Sequence, residues 1–428
     1  MKWVTVYRLK EFARTSFWLF PSLAIGAAWL LTKLILWFLP DPHWPRFDTA
    51  DIDGLRSSMS AFATSMLTFV VYAVSALLLA VQLASGQITP RMIRLTFSRW
   101  EMKFATSVFV FAFGVTMVAL ANLSSEQRHS VMLMAAIVGN VGSVLVFFWF
   151  VQEVGLGLRP VAILKKICDD GKVTLDAVYP RPFESEEPQQ TPPELTGSGR
   201  LVHLTGASGT FLAFGIADLV ALARRHDCTI ELTAQVGDFL STGDGLARVH
   251  PAAAAVDDQS INDIVAFGPE RTLRQDPLFA FRIIVDVAAR ALSPAVNDPT
   301  TAVLALDQIH RLLRHAGHKN LDNSHVRDAD GRLRLVFPTP DWDDIVDLAV
   351  TEIRQYGATS IQVVRRLRAM LEHLIRRLPE SRTAALRREL EVLDQAVARS
   401  FPDAEDRRRA SIADLQGLGG SSSRVDDV

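Results

Sequence analysis

Four long apolar runs in the first 160 residues constrain the fold more than any other feature of the chain. Each is long enough for a helix that crosses the hydrocarbon core of a bilayer, which takes about 20 residues. The predicted transmembrane helices cover about residues 17–39, 61–84, 104–123 and 131–152. The remaining chain is more polar, and the net charge of −2 does not favour binding to nucleic acid. We therefore expect an integral membrane protein with a soluble half.

The basic residues predict how these helices are oriented. They gather before the first run, between the second and third, and after the fourth. The three clusters are Lys2, Arg8, Lys10 and Arg14; Arg91, Arg94, Arg99 and Lys103; and Arg159, Lys165, Lys166 and Lys172. An even number of crossings puts all three on one side, and basic loops stay in the cytoplasm. Both termini are thus predicted to be cytoplasmic.

Polar side chains occupy one sector of the second predicted helix. At 100° per residue the sector is about 120° wide. The pore-lining candidates are Thr64, Thr68, Tyr72, Ser75 and Gln82, with Asn140 in the fourth helix as a sixth. Hydroxyl groups at this depth favour contact with neighbouring helices over lipid. A water-filled path lined by these residues is the functional alternative.

The rest of the chain contains both strand-like and helix-like segments, so we expect an α+β fold. Changes in composition indicate where its parts begin and end. We expect a transmembrane domain at 1–160, a Pro-rich linker at 161–200, a small α/β piece at 201–256, a mainly helical cytoplasmic domain at 257–400 and a disordered tail at 401–428. The glycines of Gly237–Val249 resemble the turn-and-strand unit of barrel-sandwich domains of the biotinyl and lipoyl type. No lysine lies between Lys172 and Lys319, so the resemblance implies structure without a prosthetic group.

Two Asp-Pro pairs predict helix starts in the helical part. Asp276 and Asp298 each precede a proline, which is N-cap and N1 chemistry. The helices should run to about Leu292 and His315. Capping explains both aspartates, but the junction between the helices is also a candidate site for a ligand or a subunit contact. Its candidate residues are Arg290, Ser293, Asn297, Asp298 and Thr300.

Motifs for catalysis do not reach useful strength in this sequence. There is no nucleophile with its base, carboxylate pair or phosphate loop, so we expect neither an enzyme nor a bound cofactor. The spacing of His310, His315, His318 and His325 does not place three on one helical face, and no metal site is predicted. The Arg-rich helix at 361–388 is a candidate for contact with anionic lipid, with a solvated or internally paired face as the alternative.

Several short segments resemble one bacterial family of predicted membrane proteins, domain of unknown function 2254. They are Gln275-Asp276, Ser293-Pro294, Asn297–Ala302 and Gln82–Arg91, although Thr89 stands where the family pattern has Ser. The resemblance extends from the first helix to about His315. It implies the same architecture in a bacterial inner membrane and brings no catalytic residues.

Two hypotheses for function follow. The first is a homo-oligomeric channel or permease, lined by the second helix and gated by the cytoplasmic domain. The alternative is a membrane-anchored sensor or scaffold whose cytoplasmic domain binds a ligand or a protein.

Overall fold

The computed structural model describes residues 3–16, 18–38, 52–83, 100–122, 130–157, 159–183, 195, 199–252 and 254–419. The chain divides into two compact units. Lys10–Arg159 form the helical unit, and Met1–Leu9 with Pro160–Val428 form the α/β unit. Lys2, residues 84–99, which hold Thr89 and most of the second basic cluster, and much of the linker and the end of the tail lie outside the described residues.

The helical unit contains the apolar helices. Among the described residues, the first five helices are α1 (Trp3–Thr15), α2 (Leu19–Phe38), α3 (Ile52–Leu83), α4 (Trp100–Ala121) and α5 (Ser130–Gly157). Three helices are long and apolar enough to cross a membrane, namely Gly54–Leu79 of α3, the whole of α4, and Val131–Gly157 of α5. The apolar stretch of α2, Leu19–Ile35, is shorter. The described residues thus hold three candidate spans, and a fourth span at α2 stays a prediction.

Helix α4 packs against α2, α3 and α5, and its sequence fits this central place. Small residues at the contacts, such as Ala105, Ala112 and Ala119, let neighbouring helices approach closely. Aromatic rings fill the wider gaps, and Phe69 of α3 stacks on Phe147 of α5 with centroids 4.3 Å apart.

The α/β unit begins with a helix inside the segment predicted as a linker. α6 (Pro160–Val178) opens on a proline and buries Leu164, Ile167 and Leu175. This spacing places one apolar face against two later helices, so the first half of the segment is a packed helix rather than a linker. The other helices are α7 (Ile216–Arg225), α8 (Asp258–Asn262), α9 (Pro277–Ala291), α10 (Pro299–Gly317), α11 (Trp342–Gly357), α12 (Ile361–Arg377), α13 (Thr383–Ser400) and α14 (Ala404–Ala410).

The strands form two small sheets. They are β1 (Arg200–His203), β2 (Gly209–Phe214), β3 (Thr229–Leu232), β4 (Phe239–Leu240), β5 (Gly245–His250), β6 (Val265–Gly268), β7 (His325–Arg327) and β8 (Leu333–Val336). One sheet has the order β1-β5-β3-β8-β7 and the other β4-β2-β6. Both sheets use strands from beyond residue 256, because β6 pairs with β2 and β8 lies parallel to β3. The predicted piece at 201–256 therefore shares its sheets with the segment that follows it.

The helix starts predicted from the Asp-Pro pairs are confirmed. Asp276 Oδ1 accepts a hydrogen bond from the Phe279 amide at 3.1 Å, and α9 begins at Pro277. Asp298 Oδ1 accepts one from the Thr301 amide at 3.0 Å, and α10 begins at Pro299. The first of these starts forms part of a cavity.

Candidate functional site

A mainly apolar cavity of 330 Å³ lies in the α/β unit. Its walls come from the end of α6, the end of β2, the connection after β3, the start of α9 and the segment after β8. The lining residues are Ala177, Val178, Tyr179, Pro180, Phe214, Ile216, Ala234, Gln235, Val236, Arg274, Gln275, Asp276, Pro277, Leu278, Asn323, Phe337, Pro338, Thr339 and Pro340. This volume is at the lower end of the range for small-molecule sites.

Gln275 holds one wall of the cavity in place. Its side-chain Oε1 accepts from the Phe214 amide at 3.0 Å, and its Nε2 donates to the Phe214 carbonyl at 3.2 Å. The side chain thus pairs with the backbone of β2 as another strand would. On the other side, Thr174 of α6 donates to the Leu273 carbonyl at 2.5 Å. The segment before α9 is fixed between a helix and a strand.

Asp276 is a buried carboxylate in this wall, with 3% of its surface exposed. Burial raises the pKa of its carboxyl group to about 6, although the nearby Arg271 and the amides of Phe279 and Leu278 favour the ionised form. Arg271 Nε lies 3.0 Å from Asp276 Oδ2. The direction of this contact does not make a hydrogen bond, so Oδ2 has no hydrogen-bond partner among the described residues.

Gly237 allows Arg271 to reach this position. Its φ of +104° lies in the left-handed region, which favours glycine. A Cβ at Gly237 would lie 1.7 Å from Nη2 of Arg271, so the guanidinium packs where another residue would carry a side chain.

Tyr179 is the second buried polar group of the cavity. It follows the last residue of α6 and is 1% exposed, and its hydroxyl has no hydrogen-bond partner in the described part of the chain. Burial raises the pKa of Tyr179, and the negative charge of Asp276 raises it further, so the hydroxyl stays protonated at neutral pH. A protonated hydroxyl in a cavity wall can donate a hydrogen bond to a bound molecule.

Arg274 connects the cavity to the first residues of the chain. It lines the cavity, and its guanidinium carbon lies 5.2 Å from the centre of the Tyr7 ring. Tyr7 in turn stacks on Trp3 with centroids 5.3 Å apart and packs in an apolar cluster on β2 and β6. The beginning of α1 is thus docked on the α/β unit beside the cavity.

The predicted junction residues lie together at the turn between α9 and α10. Ser293 Oγ donates to the Arg290 carbonyl at 2.7 Å, and the Asn297 amide donates to the Ser293 carbonyl at 2.9 Å. Asn297 has a φ of +47°, a left-handed conformation that Asn accepts more readily than most residues. Asp298 caps α10, and Thr300 is exposed. Helix capping and turn geometry account for the shape of this segment, and the cavity is lined by other residues. A ligand or subunit contact here stays a prediction.

The pore-lining candidates do not share one surface. Thr64, Thr68, Tyr72, Ser75 and Gln82 are exposed on α3. The hydroxyls of Thr64 and Thr68 donate to carbonyls one turn earlier, each at 2.9 Å.

Asn140, in contrast, is buried between α4 and α5. It is 2% exposed, and its Nδ2 donates to Thr116 Oγ1 at 2.8 Å. This favours the packing interpretation for Asn140 and leaves the face of α3 as the pore candidate.

Most arginines of the predicted lipid-contact region have partners inside the α/β unit. Arg366 pairs with Asp307 at 2.7 Å, Arg368 pairs with Asp394, and Arg365 donates to the carbonyls of Ile412 and Gly419. Three more lie on the later segment, where Arg382 packs between the rings of Phe183 and Trp342, Arg387 pairs with Glu380, and Arg388 pairs with Asp343. Arg376 and Arg377 are exposed. A lipid contact would rest on these two.

Of the four histidines considered as metal ligands, His310 and His315 have partners outside that group. His310 Nε2 lies 2.8 Å from His373 Nδ1, and His315 Nε2 lies 2.8 Å from Asp176 Oδ1. Burial lowers the pKa of His310 to about 4, helped by the charge of Arg366. Among the described residues, no group of three or more His, Cys, Asp or Glu side chains is placed to hold a metal ion.

Sequence reasoning missed Tyr179 and Arg274 as cavity residues. Both flank features that the sequence does mark: Tyr179 precedes the Pro-rich segment, and Arg274 precedes the Gln275-Asp276 pair. The sequence holds no signal that brings the two residues together, because Tyr179 lies about a hundred positions before Arg274.

Comparison with known proteins places the chain in a family. The family model described as a predicted membrane protein, domain of unknown function 2254, matches residues 14–373. An uncharacterized protein of Mycobacterium bovis and one of Mycobacterium tuberculosis are each 24% identical over 413 residues, which cover 93% of this chain and 79% of the relative. No solved structure gives a significant match. The chain therefore belongs to the domain of unknown function 2254 family of predicted membrane proteins.

Proposed function

We propose that this protein is a membrane-anchored receptor that binds a small molecule in the cavity of its α/β unit without transforming it. The observation that carries the proposal is the unpartnered hydroxyl of Tyr179 in a mainly apolar cavity wall that also contains the carboxylate of Asp276. Convergent polar groups in an apolar cavity are typical of ligand sites.

The free-energy cost of burying these two groups supports a role for them in ligand binding. An unsatisfied buried polar group destabilises a fold by about 1–3 kcal/mol. Asp276 adds a buried charge, which burial disfavours strongly enough to raise its pKa to about 6. A bound molecule that pairs with both groups would remove this cost, and perturbed groups of this kind cluster at functional sites.

The contact between Arg274 and Tyr7 is the means by which ligand binding in the cavity would affect α1. Arg274 belongs to the cavity wall, and Tyr7 belongs to α1, whose chain continues into the apolar helices. A ligand that moves Arg274 would alter the ring contact that docks α1. This is the differential contact that a ligand-driven switch requires.

A cavity-blocking variant tests the proposal. Ala177 is exposed at the cavity wall, so Ala177→Trp should occlude the cavity with little effect on the core. Ala384→Trp is the matched control, because Ala384 is an exposed alanine of α13 away from the cavity. A library of small uncharged fragments is screened by saturation-transfer NMR against the full-length protein in detergent. We expect fragments that bind the wild type and Ala384→Trp but not Ala177→Trp. Equal binding to all three proteins would refute the cavity as the site.

Channel formation is the second candidate, and the exposed polar face of α3 favours it. Five polar side chains along one exposed face of a membrane-length helix would meet lipid in a single chain, whereas an oligomer could place them around an axis. The mass of the detergent-purified complex gives the subunit number.

Flux into liposomes then compares Thr68→Trp with Leu145→Trp, a control at an exposed apolar position of α5. Loss of flux in Thr68→Trp alone would support the channel. A monomeric mass, or unchanged flux in Thr68→Trp, would contradict it.

The cellular placement belongs to the same proposal. We infer an inner-membrane location in bacteria and a fourth span at α2. With four spans the basic clusters at the ends of the apolar runs all fall on one side, which places both termini and the α/β unit in the cytoplasm. A reporter fused at Val428 that proves accessible from outside would contradict this topology.

Contact of Arg376 and Arg377 with anionic headgroups is part of the proposal. Binding of the protein to vesicles with and without anionic lipid tests this contact.

A further inference from the structure

Two buried residues of the cavity wall carry hydrogen-bonding groups with opposite roles. The Tyr179 hydroxyl can donate and Asp276 Oδ2 can accept, and each lacks a hydrogen-bond partner among the described residues. Both residues line the same cavity of 330 Å³, so one small ligand can contact both. The amide of Gln275 is already used at both ends by Phe214, and Asn323 Nδ2 donates to a backbone carbonyl. A ligand that satisfies both groups must offer an acceptor and a donor, and its donor would share the Asp276 carboxylate with Arg271.

The charges around the cavity disfavour an ionic ligand of either sign. A cation near Asp276 would also meet Arg271, which lies 3.0 Å from the carboxylate, and Arg274 in the wall. An anion would approach the buried carboxylate itself. Either ion would lose its hydration without gaining an unopposed partner.

Size and lining define the rest of the ligand. Since a water molecule takes up about 30 Å³ of liquid, the cavity of 330 Å³ holds roughly ten water-sized units. The rings of Phe214 and Phe337, with centroids 4.9 Å apart, form part of the wall. A single ring with a short polar substituent fits this space and these aromatic neighbours.

We infer that the ligand is a small uncharged ring compound with a carboxamide-like edge, whose acceptor pairs with the Tyr179 hydroxyl and whose N–H or O–H pairs with Asp276. The inference rests on the proposed function, since it names the chemical class that the same cavity takes. Lactams, aromatic amides and ring systems with an adjacent carbonyl and N–H belong to this class.

Four water-soluble probes of similar size test the class: benzamide, N,N-dimethylbenzamide, benzoate and benzylammonium. Each is titrated by saturation-transfer NMR against the full-length protein in detergent at pH 8, with protein-free detergent as the blank. We expect benzamide to bind tightest. The dimethyl compound should bind about three- to tenfold more weakly, because it has no N–H for Asp276. The two ions should bind at least about tenfold more weakly, because each meets a like charge.

Tyr179→Phe isolates the hydroxyl. It should weaken benzamide about three- to tenfold. The ligand-free variant should melt no lower than the wild type, since an unpartnered hydroxyl is removed. Tyr356→Phe is the matched control, because Tyr356 is 55% exposed on α11. Unchanged benzamide affinity in Tyr179→Phe would overturn the inference.

The outcomes separate this inference from the proposal beneath it. If benzoate or benzylammonium binds as tightly as benzamide and Ala177→Trp abolishes that binding, the cavity binds ligands but the inferred class is wrong. If Ala177→Trp abolishes the binding of none of the four probes and of no fragment in the library, both the class and the receptor proposal fail.

Discussion

Replacing Asp276 with Asn should stabilise the protein at neutral pH. The carboxyl group is 3% exposed, and its pKa of about 6 shows that burial opposes ionisation more than Arg271 and the Phe279 amide favour it. Asn caps helices about as well as Asp, so the hydrogen bond to the start of α9 is retained. The variant removes a buried charge and keeps the cap.

The magnitude follows from the pKa. A rise from 3.8 to about 6 corresponds to at most about 3 kcal/mol at neutral pH, at about 1.4 kcal/mol per pKa unit. This limit already includes the attraction of Arg271 for the ionised carboxylate. Part of it is offset, because the Asn side chain buries an N–H group in place of a carboxylate oxygen. We expect a net gain of about 1–2 kcal/mol, which for a unit of this size raises Tm by roughly 2–4 °C.

The pH dependence of the stability shows in which direction the charge of Asp276 acts. A carboxyl group whose pKa is raised by folding stabilises the fold when it is protonated in the folded state, and this contribution is lost as pH rises from about 4 to about 6. The wild type should therefore lose stability relative to Asp276→Asn over that interval and stay lower above it. At pH 4 the two proteins should melt within about 1 °C of each other, since both carry a neutral cap there.

Thermal unfolding of the full-length protein in detergent, followed by circular dichroism at fixed scan rate between pH 4 and pH 8, measures the difference. Asp403→Asn is the matched control, because Asp403 is an exposed N-cap of α14. Its replacement should leave Tm nearly unchanged at every pH. A difference between Asp276→Asn and the wild type that stays constant from pH 4 to pH 8 would refute the assignment of a destabilising buried charge.

Three further changes probe the surroundings of the cavity and the junction. Gly237→Ala should lower Tm more than Gly243→Ala, since both residues have positive φ but only the first would place its Cβ against Arg271; equal losses would show that backbone strain alone matters. His310→Gln should reduce the loss of stability as the pH falls from 6.5 to about 4. The reason is that the pKa of His310 is lowered to about 4 in the folded protein, so the unfolded chain binds the proton first. An unchanged decrease of Tm over this pH interval would contradict this. Asp298→Ala should cost about 1 kcal/mol of stability through the lost cap, measured as Tm, and should leave benzamide binding intact; loss of binding would move the ligand site to the helix junction.

The sequence predicts those parts of the fold that depend on near neighbours. An aspartate before a proline contains the acceptor and the fixed φ that a helix start needs, so both helix starts are correct to the residue. The hydrophobic length of the apolar runs likewise predicts the helices of the helical unit. The pattern alone predicts four membrane spans, whereas the described residues give three candidate spans, since the apolar stretch of α2 is shorter than those of α3 to α5.

The cavity could not be predicted, because its walls meet only through long-range packing. Tyr179, Phe214, Ala234, Asp276 and Phe337 are separated by tens of residues, and periodicity carries no information about such pairings. Sheet order adds the same difficulty: β8 lies beside β3 although about a hundred residues separate them in the chain. Composition also hid α6, because the Pro-rich segment that follows Tyr179 suggested a linker for the whole stretch.

The two Asp-Pro pairs share one local motif but differ in burial. Locally they are the same motif, and each aspartate accepts a hydrogen bond from the amide three residues later. Asp298 does this at a partly exposed turn, where water stabilises its charge. Asp276 does it at 3% exposure, where Asn, Ser or Thr would cap the helix without a buried charge. Capping therefore accounts for an acceptor at position 276, and the carboxylate in addition places a negative charge 3.0 Å from Arg271 Nε. Under the proposed function, the ionised carboxylate of Asp276 has the further role of accepting a hydrogen bond from a bound molecule, for which Oδ2 has no hydrogen-bond partner among the described residues.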